Sequence, residues 1–175
     1  PTNRSFNGHA IVGTVSGTSI SFGTSVAFNA GTTSGSSPTF DSTNNKIVIV
    51  YDYDAGVTGS AVVGTVSGTS ISFGTPVVFS AASTSHPRVT YDSTNNKIVI
   101  AYNNAGNNGA GTYVVGTVSG TSVSFGTAVV YESTAGYNSP TFDSTANKIV
   151  ITYQANSGYG TAVILTVGSS NNTSF

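Results

Sequence analysis

Few side chains in this 175-residue sequence could do acid–base, metal or phosphate chemistry: six carboxylates, five Lys or Arg, and two His. The carboxylates are Asp41, Asp52, Asp54, Asp92, Glu132 and Asp143, and the cations are Arg4, Lys46, Arg88, Lys97 and Lys148, with His9 and His86. Asp52-Tyr53-Asp54-Ala55-Gly56 imitates the opening of a calcium loop, with carboxylates two apart and a turn glycine, but the distal bidentate Glu that completes such a loop is missing. His86 and Arg88 flank Pro87 with no acid close by in sequence and read as a solvated loop. Serine is abundant, but no nucleophile-elbow motif accompanies it. The glycine-rich run Gly106 to Gly111 leads into a strand, so it lacks the helix N-terminus that would make it a phosphate cradle. The remaining groups are duplicated. Asp41, Asp92 and Asp143 recur at a step of 51 residues, as do Lys46, Lys97 and Lys148. An active site is singular, whereas an Asp that opens a turn accepts backbone N–H bonds two residues on and recurs for that reason alone. The three Asp are therefore read as structural turn residues. The expectation is a non-enzymatic chain with no metal site and no cofactor.

These residues sit on elements that are themselves duplicated. PTFDSTNNKIVIVY (38–51) returns as VTYDSTNNKIVIAY (89–102) and as PTFDSTANKIVITY (140–153). In each, Asp-Ser-Thr-x-Asn breaks an apolar run that resumes as Lys-Ile-Val-Ile, which predicts two strands joined by a tight turn. AIVGTVSGTSISFGTSVAF (10–28) returns at 61–79 and 114–131 and predicts a second hairpin, whose turn glycines Gly17, Gly68 and Gly120 supply positive φ. Ile47 to Tyr51 is apolar on both sides of the pleat, which requires both faces of that strand to be covered. The second hairpin alternates with Ser, so it should lie farther out. Together they give an all-β fold built from four-stranded units. A period near 50 residues is the mark of a propeller blade or related stacked unit. The organisation expected is a lead-in at 1–9, an outer hairpin of a partial blade at 10–28, blades at 38–79 and 89–131, and at 140–175 a blade lacking its last strand segment. About three and a half repeats fall short of the roughly 4 to 8 blades of a closed propeller, so further copies are expected to complete the ring or extend a polymer.

Composition sets outer limits. Charged residues are 6% of the chain and the formal net charge is -1, which gives no electrostatic basis for binding nucleic acid or an anionic membrane. Leu, Glu and Gln occur once each, so no helix is expected, and no apolar run approaches the ~20 residues of a membrane helix. Cysteine is absent, which removes disulfides and thiolate metal sites. Asn-x-Ser/Thr sequons at Asn3, Asn171 and Asn172 hint at surface glycosylation if the chain is secreted. Two sets of segments differ between copies: 29–37, 80–88 and 132–139, and 52–60, 103–112 and 154–161. A copied framework with varied loops suits a scaffold that displays those loops.

The pairing of F/Y-D-S-T-x-N-K-I-V-I-x-Y with V-V-G-T-V-S-G-T-S-I-S-F-G-T-x-V-V-F resembles the ~50-residue propeller-type repeats found in tandem in phage tail or virion proteins and bacterial extracellular proteins. It covers residues 10–175. The Trp-Asp, kelch and sialidase signatures are absent. The resemblance implies a structural or adhesive module of an extracellular fibre or virion, with further copies of itself as partners and an extracellular or virion-surface location. The alternative is a carbohydrate-binding propeller, in which Tyr53, Tyr137, Asn138 and Tyr159 of the variable segments would stack on sugars and bond their hydroxyls. Glycans are then the possible partner, without nucleic acid and without membrane insertion.

Overall fold

The computed structural model describes residues 6–53, 57–168 and 173–174, the last pair by backbone alone. Asp54 of the calcium-like stretch, Arg4 and the sequons at Asn3, Asn171 and Asn172 lie outside them. The fold is all-β, 71% strand, with the sheets forming a nearly closed, barrel-like array. Among the described residues there is no α-helix, and the glycine-rich run forms a single 3-10 turn at Ala105–Asn107.

The chain begins with β1 (Asn7–Ala10), the hairpin of β2 (Gly13–Ser16) and β3 (Ser19–Phe22), and the long β4 (Val26–Asp41). Asn7 to His9, expected as lead-in, are thus strand, because they pair with the first half of β4. The first full repeat continues through β5 (Lys46–Tyr53), β6 (Thr58–Ser67), β7 (Ser70–Phe73) and β8 (Val77–Ser80). The second is β9 (Thr84–Asp92), β10 (Lys97–Asn104), β11 (Ala110–Ser119), β12 (Ser122–Phe125) and β13 (Val129–Glu132). The third is β14 (Ala135–Asp143), β15 (Lys148–Ala155), β16 (Gly160–Val167) and β17 (Thr173–Ser174).

Each repeat is an antiparallel meander. In the second, β9 pairs with β10, β10 with β11, and β11 with both β12 and β13. The outermost strand is broken in two because Gly-Thr-x interrupts it, and the N–H groups of Gly23, Gly74 and Gly126 bond back to Val12, Val63 and Val115. Gly74 has a second duty. A Cβ there would lie 2.0 Å from the carbonyl oxygen of Thr121 in the next repeat, and one at Gly23 would lie 1.9 Å from that of Thr69.

The repeats stack face to face, which explains the doubly apolar central strands. Val48 and Val50 of β5 join Ile98, Ile100 and Tyr102 of β10 in one buried cluster. Val99 and Ala101, on the other side of β10, join Ile149, Ile151 and Leu165 of the third repeat in a second. Ile49 and Tyr51 form a third with Phe28. Tyr102 packs on Phe79 with ring centroids 5.2 Å apart, as Tyr51 does on Phe28. β4, β9 and β14 touch in succession along one side of this stack. The outer hairpin differs in burial by repeat: Ile71 and Val123 are buried, while the equivalent Ile20 of β3 is 53% exposed.

Meander topology then sorts the loops. The turns after β4, β9 and β14 and after β6 and β11 all emerge at one end, and these carry the copied Asp-Ser-Thr and Ser-Gly-Thr sequences. The β5–β6, β10–β11 and β15–β16 connections and the passages between repeats emerge at the other. Both variable classes therefore share one end. Residues 29–37 and 84–88 are not free loops, however; they are drawn into β4 and β9 by pairing such as Thr33 with Tyr53 and Ser85 with Asn103.

At the constant end, Asp92 accepts the N–H groups of Thr94 and Asn95 at 3.0 Å, and Asp41 and Asp143 hold their turns similarly. Lys46, Lys97 and Lys148 each donate to a cross-strand threonine hydroxyl, at 2.9, 2.7 and 2.6 Å.

Candidate functional site

The variable end is where chemistry concentrates, because the pairings of β4, β9 and β14 are bulged there. Register slips between Ser34 and Ser37, between Ala101 and Asn103 opposite β9, and between Gly136 and Ser139. At each bulge one residue takes a left-handed backbone: Gly35 at φ 58°, His86 at 54° and Tyr137 at 52°. Glycine adopts this without strain, whereas His and Tyr do so at a cost of about 1 kcal/mol. A bulge also re-aims the side chain it carries. Here it brings the His86 ring against Tyr137, with centroids 5.4 Å apart.

Beneath His86 lies Asp52, at the end of β5 and only 4% exposed. It accepts a hydrogen bond from the Thr84 hydroxyl at 3.1 Å and another from the His86 N–H. Arg88 lies near, donating to the carbonyls of Gly35 and Pro87 at 3.3 and 2.9 Å. Sequence alone read Asp52 as part of a calcium-like stretch and His86 with Arg88 as a solvated loop. The stacking of the first two repeats gathers all three, although His86 is 34 positions beyond Asp52.

Asp52 lines a cleft of about 310 Å³ between the first and second repeats, with Ser34, Ser83, Ser85, Thr84 and His86 around it. The same cleft recurs between the second and third repeats at about 370 Å³, with Asn103 in the place of Asp52 and Ala135 in the place of Thr84. The polar partnership changes as a pair. Asn103 donates its amide to the carbonyls of Gly109 and Ala135, while Asp52 accepts from a hydroxyl that Thr84 supplies.

Burial raises the Asp52 carboxyl from 3.8 to about 6, with the Thr84 hydroxyl, the His86 N–H and the charges of His86 and Arg88 opposing it. A carboxyl whose folded value exceeds its unfolded one binds its proton more tightly in the folded chain. Its contribution therefore favours the fold on acidification and is lost as pH rises through about 6. Asp52→Asn, which installs the amide found at the sister position, is expected to remove this dependence. It should raise stability at about pH 8 by roughly 1–3 kcal/mol and leave it little changed near pH 4, as read from urea midpoints across that range.

Of the four residues expected to contact sugar, Tyr53 belongs to the first repeat and Tyr137, Asn138 and Tyr159 to the third. Tyr137 is 73% exposed, and Tyr159 on the β15–β16 turn is 75% exposed. Tyr53 is partly covered, its ring lying over Gly31. Asn138, next to Tyr137 in sequence, is buried and accepts a hydrogen bond from the Tyr131 hydroxyl. Burial raises the ionisation of that hydroxyl far above its usual range. Asp41, Asp92 and Asp143 lie at the opposite end and take no part in the clefts. Among the described residues, no group of three or more His, Asp or Glu could hold a metal ion, and no helix is long and apolar enough to cross a membrane. Comparison with protein-family models, with curated proteins and with solved structures finds no match.

Proposed function

We propose that the repeats are blades of a β-propeller and that the chain serves as a structural and adhesive module of a larger extracellular or virion assembly. One observation carries the reading: copied turns gather at one end of the stack and every variable segment at the other. That division separates a surface used for building from a surface used for display. The propeller geometry is supported by the succession of β4, β9 and β14 along one side, as the innermost strands of radiating sheets would lie. Self-assembly is supported by the exposure of Ile20 and Phe22, whose counterparts in later repeats pack against a neighbour. A further repeat, in the same polypeptide or in another copy, would cover that apolar hairpin and blunt its edges.

Light scattering and negative-stain electron microscopy of the purified chain test this reading. Rings or filaments of several copies are expected. Particles that stay monomeric at every concentration up to hundreds of micromolar would overturn it.

A further inference from the structure

We infer that the cleft between the first and second repeats binds a saccharide, with Asp52 and Thr84 at its floor and the His86 ring, backed by Tyr137, at its rim. The inference rests on the adhesive part of the proposed function and names the ligand class and the site.

Four observations converge on it. The cleft is a feature of the repeat, since it returns between the second and third repeats with an amide at the same place. Carboxylates and amides are the two side-chain groups that can engage neighbouring hydroxyls of one ring, and a carboxylate offers about four acceptor directions. Asp52 spends two of these on Thr84 and His86. Asp52 lines the cleft with Gly35 packed against it, a Cβ at Gly35 lying 2.6 Å from Oδ2. The second and third repeats place His86 and Tyr137 at that bulge in place of glycine.

The rim supplies the fourth observation. His86 and Tyr137 hold a left-handed backbone that non-glycine residues adopt at a cost. Strain of this kind persists where the placement of a side chain matters. What it achieves here is the His86 ring lining a hydroxyl-rich cleft with Tyr137 packed against that ring, and an aromatic face is the partner for the C–H face of a sugar ring.

The chemistry also discriminates among ligands. A phosphate or other anion would meet the buried Asp52 carboxylate, and a metal ion would find one carboxylate where it needs several. A neutral ring bearing several hydroxyls satisfies the floor with directional, charge-assisted bonds and the rim with apolar contact.

The test is a titration of the 15N-labelled chain with methyl pyranosides of the gluco, galacto, manno, fuco and N-acetylgluco series, up to tens of millimolar. At least one is expected to give saturable shifts at the amides of Thr84, Ser85 and His86. Asp52→Ala should then weaken that binding by about tenfold or more, the range for loss of a hydrogen bond to a charged group. Should Asp52→Ala fail to fold, Asp52→Asn serves in its place, because the sister cleft already carries that amide, and the saturation should weaken without vanishing. Tyr137→Ala should weaken it as well while leaving the fold intact, since the ring is largely exposed. No saturable shift with any of these sugars, or shifts indifferent to Asp52 and Tyr137, would overturn the inference. The assembly measurement above is independent: rings without sugar binding would remove this site alone, and sugar binding by a monomer would remove the assembly alone.

Discussion

Gly74→Ala is expected to destabilise the protein by about 3 kcal/mol. The residue lies in the Gly-Thr-Pro break of the outermost strand, with its N–H bonded to the Val63 carbonyl at 2.9 Å. Its α-carbon faces the backbone of the next repeat so closely that a Cβ would sit 2.0 Å from the Thr121 oxygen. That neighbour is main chain held in a turn, so it cannot swing aside as a flexible side chain would. Relief requires the two repeats to separate locally or the outer strand to leave β6. The informative control is Gly68→Ala. Gly68 has φ 59° and nothing within 4 Å of its hypothetical Cβ. There the substitution costs only the strain of a left-handed backbone on a residue bearing a Cβ, roughly 1 kcal/mol. Urea midpoints of the two variants rank them, and a Gly68→Ala loss equal to or larger than that of Gly74→Ala would mean the repeats do not approach as closely as described.

The second large effect concerns three copies of one isoleucine. Ile47, Ile98 and Ile149 open the same strand of successive repeats, and Ile98 and Ile149 are fully buried between repeats while Ile47 is half-buried. Ile98→Ala and Ile149→Ala should each cost about 3–4 kcal/mol, through lost transfer energy and the cavity left in a tightly packed cluster. Ile47→Ala should cost about half as much, because its side chain is already partly in water. Denaturation of the three variants under one condition reads the difference directly. Equal losses would contradict face-to-face stacking, since residue type and local sequence are the same at all three sites.

The three isoleucines mark where sequence reasoning succeeds and where it stops. Alternation, turn residues and a doubly apolar Lys-Ile-Val-Ile run act over a few positions, so the two hairpins of each repeat and the coverage of both faces of the central strand were legible in the sequence. By contrast β1 and the first halves of β4, β9 and β14, which depend on pairing with distant partners, were not. The turn role of Asp41, Asp92 and Asp143 was legible for the same reason, because the N–H groups they accept lie two or three residues away. The candidate site was legible in pieces only. Asp52, His86 and Tyr137 were each visible as residues that break the copied pattern, yet nothing local joined them.

What the chain settles by itself, then, is the repeated meander: its hydrogen bonds and apolar period are short-range, and each copy carries the full instruction. What only tertiary structure decided is the use of equivalent positions. Stacking made Gly74 a contact point and left Gly68 a free turn, exposed Tyr137 while burying Asn138 beside it, and closed a cleft over Asp52. The physical reason is that these outcomes depend on the distance and angle between neighbouring repeats, which arise from packing across whole sheets and leave no signature in any short stretch of sequence.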